Sequence, residues 1–230
     1  MPRRDTGVPP RADCSAGRPR ARLAVLATLV LALNLPATSG AQRAGMIGGC
    51  DIRRGTLCTN LNLNGAQLAG VNLANSQFTQ SDLSEANLSG ATLNEANFAS
   101  TELRGTDFSK ASMVRINLRG ARLNEAKLAG ANLTNATLQN ADLSKVDLSG
   151  AILANADFSN ARLEGANLQG ADLQRANLRA AKLKGASLAG ARLHGANFTR
   201  ASLIDADLTG ADIDQAIFLN AQTQGCKGCP

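Results

Sequence analysis

From residue 61 to 220 the chain repeats every five residues, without an insertion or a deletion. Leu63, Leu68, Leu73, Phe78, Leu83 and Leu88 open the series, and Leu203, Leu208, Ile213 and Phe218 close it. The 32 central positions hold 24 Leu, six Phe, Met113 and Ile213. Two residues before each centre the chain carries Ala in 24 of 32 repeats, and every Gly of this stretch lies two residues after a centre. Regularity of this kind decides the fold before any local propensity does. On an α-helix five residues advance about 500°, so the leucines would spiral around the axis and form no stripe. On a flat strand the facing period is two, and an odd spacing would throw successive leucines to opposite faces. A chain that turns at every repeat does bury the pattern. The central residue and the residue two before it then point inward. The turn falls where Gly and Asn cluster, because those residues tolerate positive φ.

Two features indicate how many sides close the coil. Phe78, Phe98, Phe158, Phe198 and Phe218 are separated by multiples of 20, with only Phe108 off this column. Four repeats per coil stack these five rings as a ladder along one wall, whereas three per coil would split the rings between two walls. With a coil of 20 residues, Arg122 lies between Glu102 and Asp142, Lys127 between Asp107 and Asp147, and Arg192 between Asp172 and Asp212. Strand spacing of about 4.8 Å brings such neighbours within reach. Exposed pairs contribute only about 0–1 kcal/mol each, so they matter for register more than for stability. Arg162 and Lys182 break the alternation as like-charged neighbours.

The pattern Ala-(Asp/Asn)-Leu, as in Ala131-Asn132-Leu133, Ala141-Asp142-Leu143 and Ala171-Asp172-Leu173, resembles the pentapeptide-repeat family. The resemblance implies an all-β fold, a right-handed four-sided parallel β-helix of about eight coils, roughly 38 Å long at the usual strand spacing. Some members of that family resemble a DNA duplex in size and charge and act on DNA gyrase. Such a role implies a cytoplasmic, clearly acidic rod.

Composition and charge point elsewhere. The chain has no Trp or Tyr, one His and six aromatic residues, all Phe, which fits a thin core filled by one small unit. Residues 1–41 carry six Arg against Asp5 and Asp13, whereas residues 42–230 carry 18 basic and 16 acidic residues. The body is therefore close to neutral. It has neither the basic field of a nucleic-acid binder nor the acidic surface of a nucleic-acid mimic. The early charge belongs to a leader. Arg-rich residues 1–22 precede the apolar run Leu23–Leu35, then Pro36 and small residues, with Ser39 and Ala41 at −3 and −1 of a cleavage site. This is the order of a secretory signal peptide, and a run of 13 residues falls short of the roughly 20 that span a bilayer as a helix. The expected division is a signal peptide at 1–41, an N-terminal cap at 42–60, the β-helix at 61–220 and a C-terminal cap or tail at 221–230.

An exported chain meets oxidising conditions, in which the even count of four cysteines that remain once Cys14 leaves with the leader reads as disulfides. Cys50 and Cys58 precede the array, and Cys226 and Cys229 follow it. A disulfide needs Cα atoms within about 7 Å, and the two ends of the rod are much farther apart, so the expected pairs are Cys50–Cys58 and Cys226–Cys229. The CxxC spacing of the second pair is also that of a thiol redox motif, but no βαβ pattern accompanies it. A zinc site needs four ligands, and each end offers two. His194 is the only His and faces outward among expected Ser, Thr and Gly neighbours, with no acid, nucleophile or metal partner expected. Asp212 and Asp214 flank the inward Ile213 and read as two solvated acids. The basic residues Arg175, Arg179, Lys182, Lys184, Arg192 and Arg200 fall on different walls, and no aromatic is available outside for base stacking.

The sequence thus predicts a non-enzymatic, exported rod, periplasmic or secreted. No cofactor, metal or nucleic-acid partner is expected, nor a membrane span after signal cleavage. The expected partner is an envelope protein, with an end-to-end dimer as a further arrangement. A gyrase-interacting DNA mimic and a thiol redox protein are the competing functions.

Overall fold

The computed structural model describes residues 45–230; the leader and cleavage site read at 1–41 lie outside them. The body is a four-sided parallel β-helix. Parallel bridges join the residue before each centre to its equivalent 20 residues on, from Leu57↔Gln77 to Asp207↔Lys227. Twenty residues per coil and five per repeat give four walls, named here by their first central residues: wall A from Leu63, wall B from Leu68, wall C from Leu73 and wall D from Cys58 and Phe78.

One repeat shows why the chain turns where it does. Of residues 81–85, Ser81 N–H donates to Phe78 O (3.2 Å) and closes the corner. Asp82 N–H donates down to Leu61 O (2.9 Å), while Leu83 and Glu85 donate up to Glu102 O (2.9 Å) and Arg104 O (2.8 Å). The remaining donor, Ser84 N–H, goes to Asp82 Oδ1 at 2.9 Å. Every backbone donor of the repeat is thereby satisfied, as a buried backbone requires. The same Asx bond recurs at Asn72, Asn132, Asp142 and Asp172. It accounts for the preference for Asp or Asn before each Leu, because their short side chains mimic a backbone turn.

The last residue of each repeat sits in the left-handed region. Glycine fills it without strain, as at Gly165 (φ 66°), but Ala180 is held there at φ 56°. An L-residue in this region costs about 1–2 kcal/mol, and Gly returns part of that in unfolded-state entropy. Ala180→Gly is therefore expected to stabilise the protein by about 0.5–1 kcal/mol, read as a higher midpoint in urea.

The core is one continuous column of inward Leu, Phe and Ala, nearly all fully buried. Where Ala is replaced by Ser81, Thr101 or Thr106, the hydroxyl donates to a carbonyl one coil below: Cys58 O (2.7 Å), Phe78 O (2.9 Å) and Leu83 O (2.8 Å) respectively. Among the described residues no buried side-chain polar atom lacks a partner. The five rings lie in wall D. Phe78 and Phe98 stack at 4.8 Å, as do Phe198 and Phe218 at 5.0 Å, and Phe98 meets the off-column Phe108 edge-on at 6.4 Å. Phe158 stands between Leu138 and Leu178 in its column.

The coil runs one repeat beyond the regular array at the N-terminal end and into a second repeat beyond it at the C-terminal end. Thr56–Asn60 form a repeat in which Cys58 takes the inward central position and its N–H donates to Gln77 O at 2.8 Å. Gln222 and Lys227 continue the bridges on walls A and B. A short hairpin precedes the coil, β1 (Met46–Ile47) paired antiparallel with β2 (Cys50–Asp51). Gly48 and Gly49 both have positive φ (55° and 83°), as a two-residue hairpin turn of this kind demands. A Cβ on Gly48 would come within 2.8 Å of Asn62 O and Leu63 Cδ2, so the hairpin lies directly on the first coil. Residues 221–230 instead extend the coil, and Ala211, Ile213, Ala216, Phe218 and Ala221 at that end are only partly buried.

Candidate functional site

With no helix or long loop among the described residues, the coil offers two kinds of surface, its walls and its ends. On the walls the register anticipated from charge holds, with bridges Glu102↔Arg122↔Asp142, Asp107↔Lys127↔Asp147 and Asp172↔Arg192↔Asp212. The contacts are more selective than the register. Arg122 reaches Glu102 (2.9 Å) and Arg192 reaches Asp172 (3.1 Å), each only toward the preceding coil. Asp142 is approached by Arg162 (4.0 Å), which also meets Glu164 (3.6 Å). Lys127 comes within ion-pair range of neither acid, nor does any other Lys among the described residues reach a carboxylate. A flexible ammonium stem gains less from a fixed neighbour than the planar guanidinium does. Asp212 is left without a basic partner among the described residues.

The wall carboxylates are tuned mainly by their own turns. Partial burial would raise the Asp142 carboxyl, but the Ser144 hydroxyl (2.6 Å) and amide (3.1 Å), with Asn124 and Arg162, hold it below its ordinary 3.8. Asp157 is likewise opposed by burial and lowered by Ser159 and by Gln139, whose Nε2 donates to Oδ2 at 2.6 Å. A carboxyl whose folded value is depressed contributes stability above its unfolded value, and that contribution is lost as pH falls through the lower folded value. The urea midpoint should therefore be flat from neutrality to about pH 5 and decline below about pH 4. Asp157→Asn, which keeps an Oδ1 for the turn, should shrink the decline.

His194 differs from its expected surroundings. Its Nδ1 lies 3.2 Å from Asp214 Oδ2, because the residue 20 positions on is stacked over it; the neighbours are not confined to Ser, Thr and Gly. Asp212 and Asp214 are both exposed, and Ile213 turns inward between them. Among the described residues no group of His, Cys, Asp and Glu is arranged to hold a metal ion, and no helix is long and apolar enough to cross a membrane. A shallow depression on wall A is lined by Glu102, Arg104, Arg122, Asn124 and Glu125. Its charges are already paired, Arg104 with Glu125 (3.4 Å) and Arg122 with Glu102.

The four cysteines among the described residues stand at the ends. Cys50–Cys58 and Cys226–Cys229 are each joined by a disulfide, with Cα atoms 5.3 and 5.8 Å apart. The first pair is buried and ties hairpin strand β2 to the first inward position of wall D; the Thr56 hydroxyl lies 3.2 Å from Cys58 Sγ. Replacing both Cys50 and Cys58 by Ser frees a short loop and should cost about 2–3 kcal/mol. The difference between thermal melts with and without reductant should be smaller for this variant, which keeps only Cys226–Cys229, than for the native chain.

Coils of 20 residues, a Leu or Phe at 30 of the 32 inward centres of the array and an Asx turn on every wall agree with what the family comparison finds. The model for pentapeptide repeats matches in eight copies, in spans from 54–84 through 101–140 to 181–218. The chain belongs to the pentapeptide-repeat family. Its coil is accordingly the right-handed quadrilateral β-helix of that family. Solved pentapeptide-repeat structures resemble it. HetL of the cyanobacterium Nostoc, described as involved in heterocyst differentiation regulation, is 34% identical over 74% of this chain and 88% of its own, with a TM-score of 0.41. QnrB1, described as a plasmid-mediated fluoroquinolone resistance protein, is 23% identical over 77% of this chain and 86% of its own, with a TM-score of 0.43. A pentapeptide-repeat protein of the Arabidopsis thaliana thylakoid lumen is 36% identical over 45% and 68%, with a TM-score of 0.28. No curated protein matches the chain. Pentapeptide-repeat proteins are generally structural or interaction proteins rather than enzymes.

Proposed function

We propose that this pentapeptide-repeat protein is an exported, non-enzymatic rod that binds protein partners in the cell envelope. The observation that carries this reading is the placement of its cysteines. All four of residues 42–230 are paired at the two ends, and none interrupts the array. Disulfides persist outside reducing compartments, and the leader at 1–41 has the order of an export signal. The near-neutral body supports protein binding over nucleic-acid binding or mimicry, both of which need a strong single-sign field. An array of stacked coils provides an extended surface of the kind repeat proteins use for binding and spacing.

The deciding measurement is the intact mass of the protein from each cell fraction of its native host, with thiols alkylated before and after reduction. A chain starting at Gln42, outside the cytoplasm and without free thiols, is expected. A full-length, reduced, cytoplasmic chain would overturn the export reading and make a gyrase supercoiling assay the next experiment.

A further inference from the structure

Along wall A the outward residue before each centre runs Asp82, Glu102, Arg122, Asp142, Arg162, Lys182, joined rung to rung by parallel bridges. In charge this column reads acid, acid, base, acid, base, base. Its middle members satisfy one another within the chain, Arg122 with Glu102 and Arg162 with Asp142. Its two ends do not alternate. Asp82 lies beside Glu102 and Lys182 beside Arg162. Among the described residues neither Asp82 nor Lys182 is in an ion pair. Like charges on adjacent strands are unfavourable, so the single chain gives no reason for this order.

The column becomes complementary when it is set against its own reverse. Asp82 then stands opposite Lys182, Glu102 opposite Arg162 and Arg122 opposite Asp142, so every acid faces a base. The same reversal in the same register acts on the other outward columns of the wall. It sets Arg104 opposite Glu164 and Glu125 opposite Lys145. The remaining charges, Glu85, Lys184 and Asp205, face Gly185, Ser84 and Gly65, which leaves Glu85 and Lys184 diagonal to each other. Five opposite pairs thus agree on one register, and no like charges meet. On the other three walls no register gives more than two opposite pairs. A two-fold axis lying in the contact plane along the strands performs this reversal, because it inverts the rod and keeps each column facing its own equivalent. An axis along the rod would instead bring Lys182 onto Lys184. The shallow depression on wall A lies at the centre of the antiparallel arrangement. Its lining residues Glu102, Arg104, Arg122, Asn124 and Glu125 fall opposite Arg162, Glu164, Asp142, Ser144 and Lys145 of a second copy.

We infer that wall A is the contact face of an antiparallel, two-fold dimer of this chain, with two rods lying side by side. Each of the five charge pairs is made twice, as a two-fold contact requires. Exposed pairs of this kind fix orientation and register more than they supply affinity, so the dimer is weak and sensitive to salt. Walls B, C and D are left for other protein partners. The inference goes beyond the protein-binding reading above and does not depend on export.

The test is sedimentation velocity of the purified, oxidised full chain and of two variants, Asp82→Lys and Lys182→Glu, over a concentration series reaching the millimolar range. The native chain should show a reversible monomer–dimer equilibrium that weakens as salt is added. Either variant alone sets like charges together twice, Lys with Lys or Asp with Glu, and should dimerise at least tenfold more weakly. Mixed one to one, the two variants restore both opposite pairs in a heterodimer, and dimerisation of native strength should return. A folding defect cannot produce that recovery, since both chains in the mixture are altered. Arg122 and Glu102 already occupy the substituted column, so both variants should still melt cooperatively. Lys110→Glu, which reverses a charge on wall B, should leave the equilibrium unchanged. A native chain that stays monomeric throughout the series would overturn the inference. So would a dimer indifferent to salt or to the wall A variants, or a mixture that fails to recover. Export can fail in the fractionation experiment while the sedimentation result stands, so the two proposals are separable.

Discussion

Leu133→Asp should abolish cooperative folding. Leu133 is fully buried in wall C, midway along the coil, with Met113 and Leu153 at the same position one coil below and above. No polar side chain occupies the inward column around it, so the introduced carboxylate has neither a partner nor water. Leaving a buried charge unpaired costs several kcal/mol, a large share of the 5–15 kcal/mol that holds a typical domain together. In a solenoid each coil is stabilised by its neighbours, so a fault at mid-length cuts the array into two shorter stacks. Far-ultraviolet circular dichroism followed on heating should show no single transition, whereas Leu133→Met, which conserves volume, should cost less than about 1.5 kcal/mol. A native-like melt for the Asp variant would contradict the inward placement of the leucine column.

The second large effect is expected at Phe98. Its ring is fully buried, stacked on Phe78 at 4.8 Å and edge-on to Phe108 at 6.4 Å. Phe98→Ala should lower stability by about 3–5 kcal/mol. Phe158→Ala makes the informative comparison, because Phe158 is equally buried but has no ring partner among the described residues. Aromatic pairs contribute about 0.5–1.5 kcal/mol beyond the area they bury. The Phe98 variant should therefore be the weaker of the two by about that amount for each pair lost. Urea unfolding of both variants under the same conditions measures the difference; equal losses would show that the rings act only as volume.

Most of the fold is legible in the sequence because a period of five admits very few solutions. The five Phe at multiples of 20 and the alternating charges around Arg122, Lys127 and Arg192 are enough to close the coil at four sides, since both depend only on which residues share a column. What is harder to read depends on side-chain geometry or on broken repetition. Cys58 takes an inward position one repeat before the regular array, but a Cys in place of Leu removes the signal that would mark it. His194 meets Asp214 through stacking, a contact that applying the same column rule to outward positions would have found. The acids beside Arg122 and Arg192 are equivalent in sequence, yet each Arg chooses the preceding coil, a choice set by how the guanidinium stem leans. That residues 221–230 carry the bridges on along walls A and B is invisible from composition, because they read equally well as a lid or as more coil.

The 20-residue ladder also governs how such a chain can change length. Excising one whole coil, for instance residues 141–160, joins equivalent positions and leaves every wall with its own sequence above and below the cut. Excising a single repeat keeps the inward Leu pattern intact but rotates everything beyond it by a quarter turn. Phe198 and Phe218 would leave the wall of Phe78 and Phe98, and the Asp172–Arg192 pair would travel together to a different side. Length in this architecture is therefore inherited in two different currencies. Five residues conserve the core, and only twenty conserve the outside, so surface function constrains the gain and loss of repeats four times more tightly than folding does.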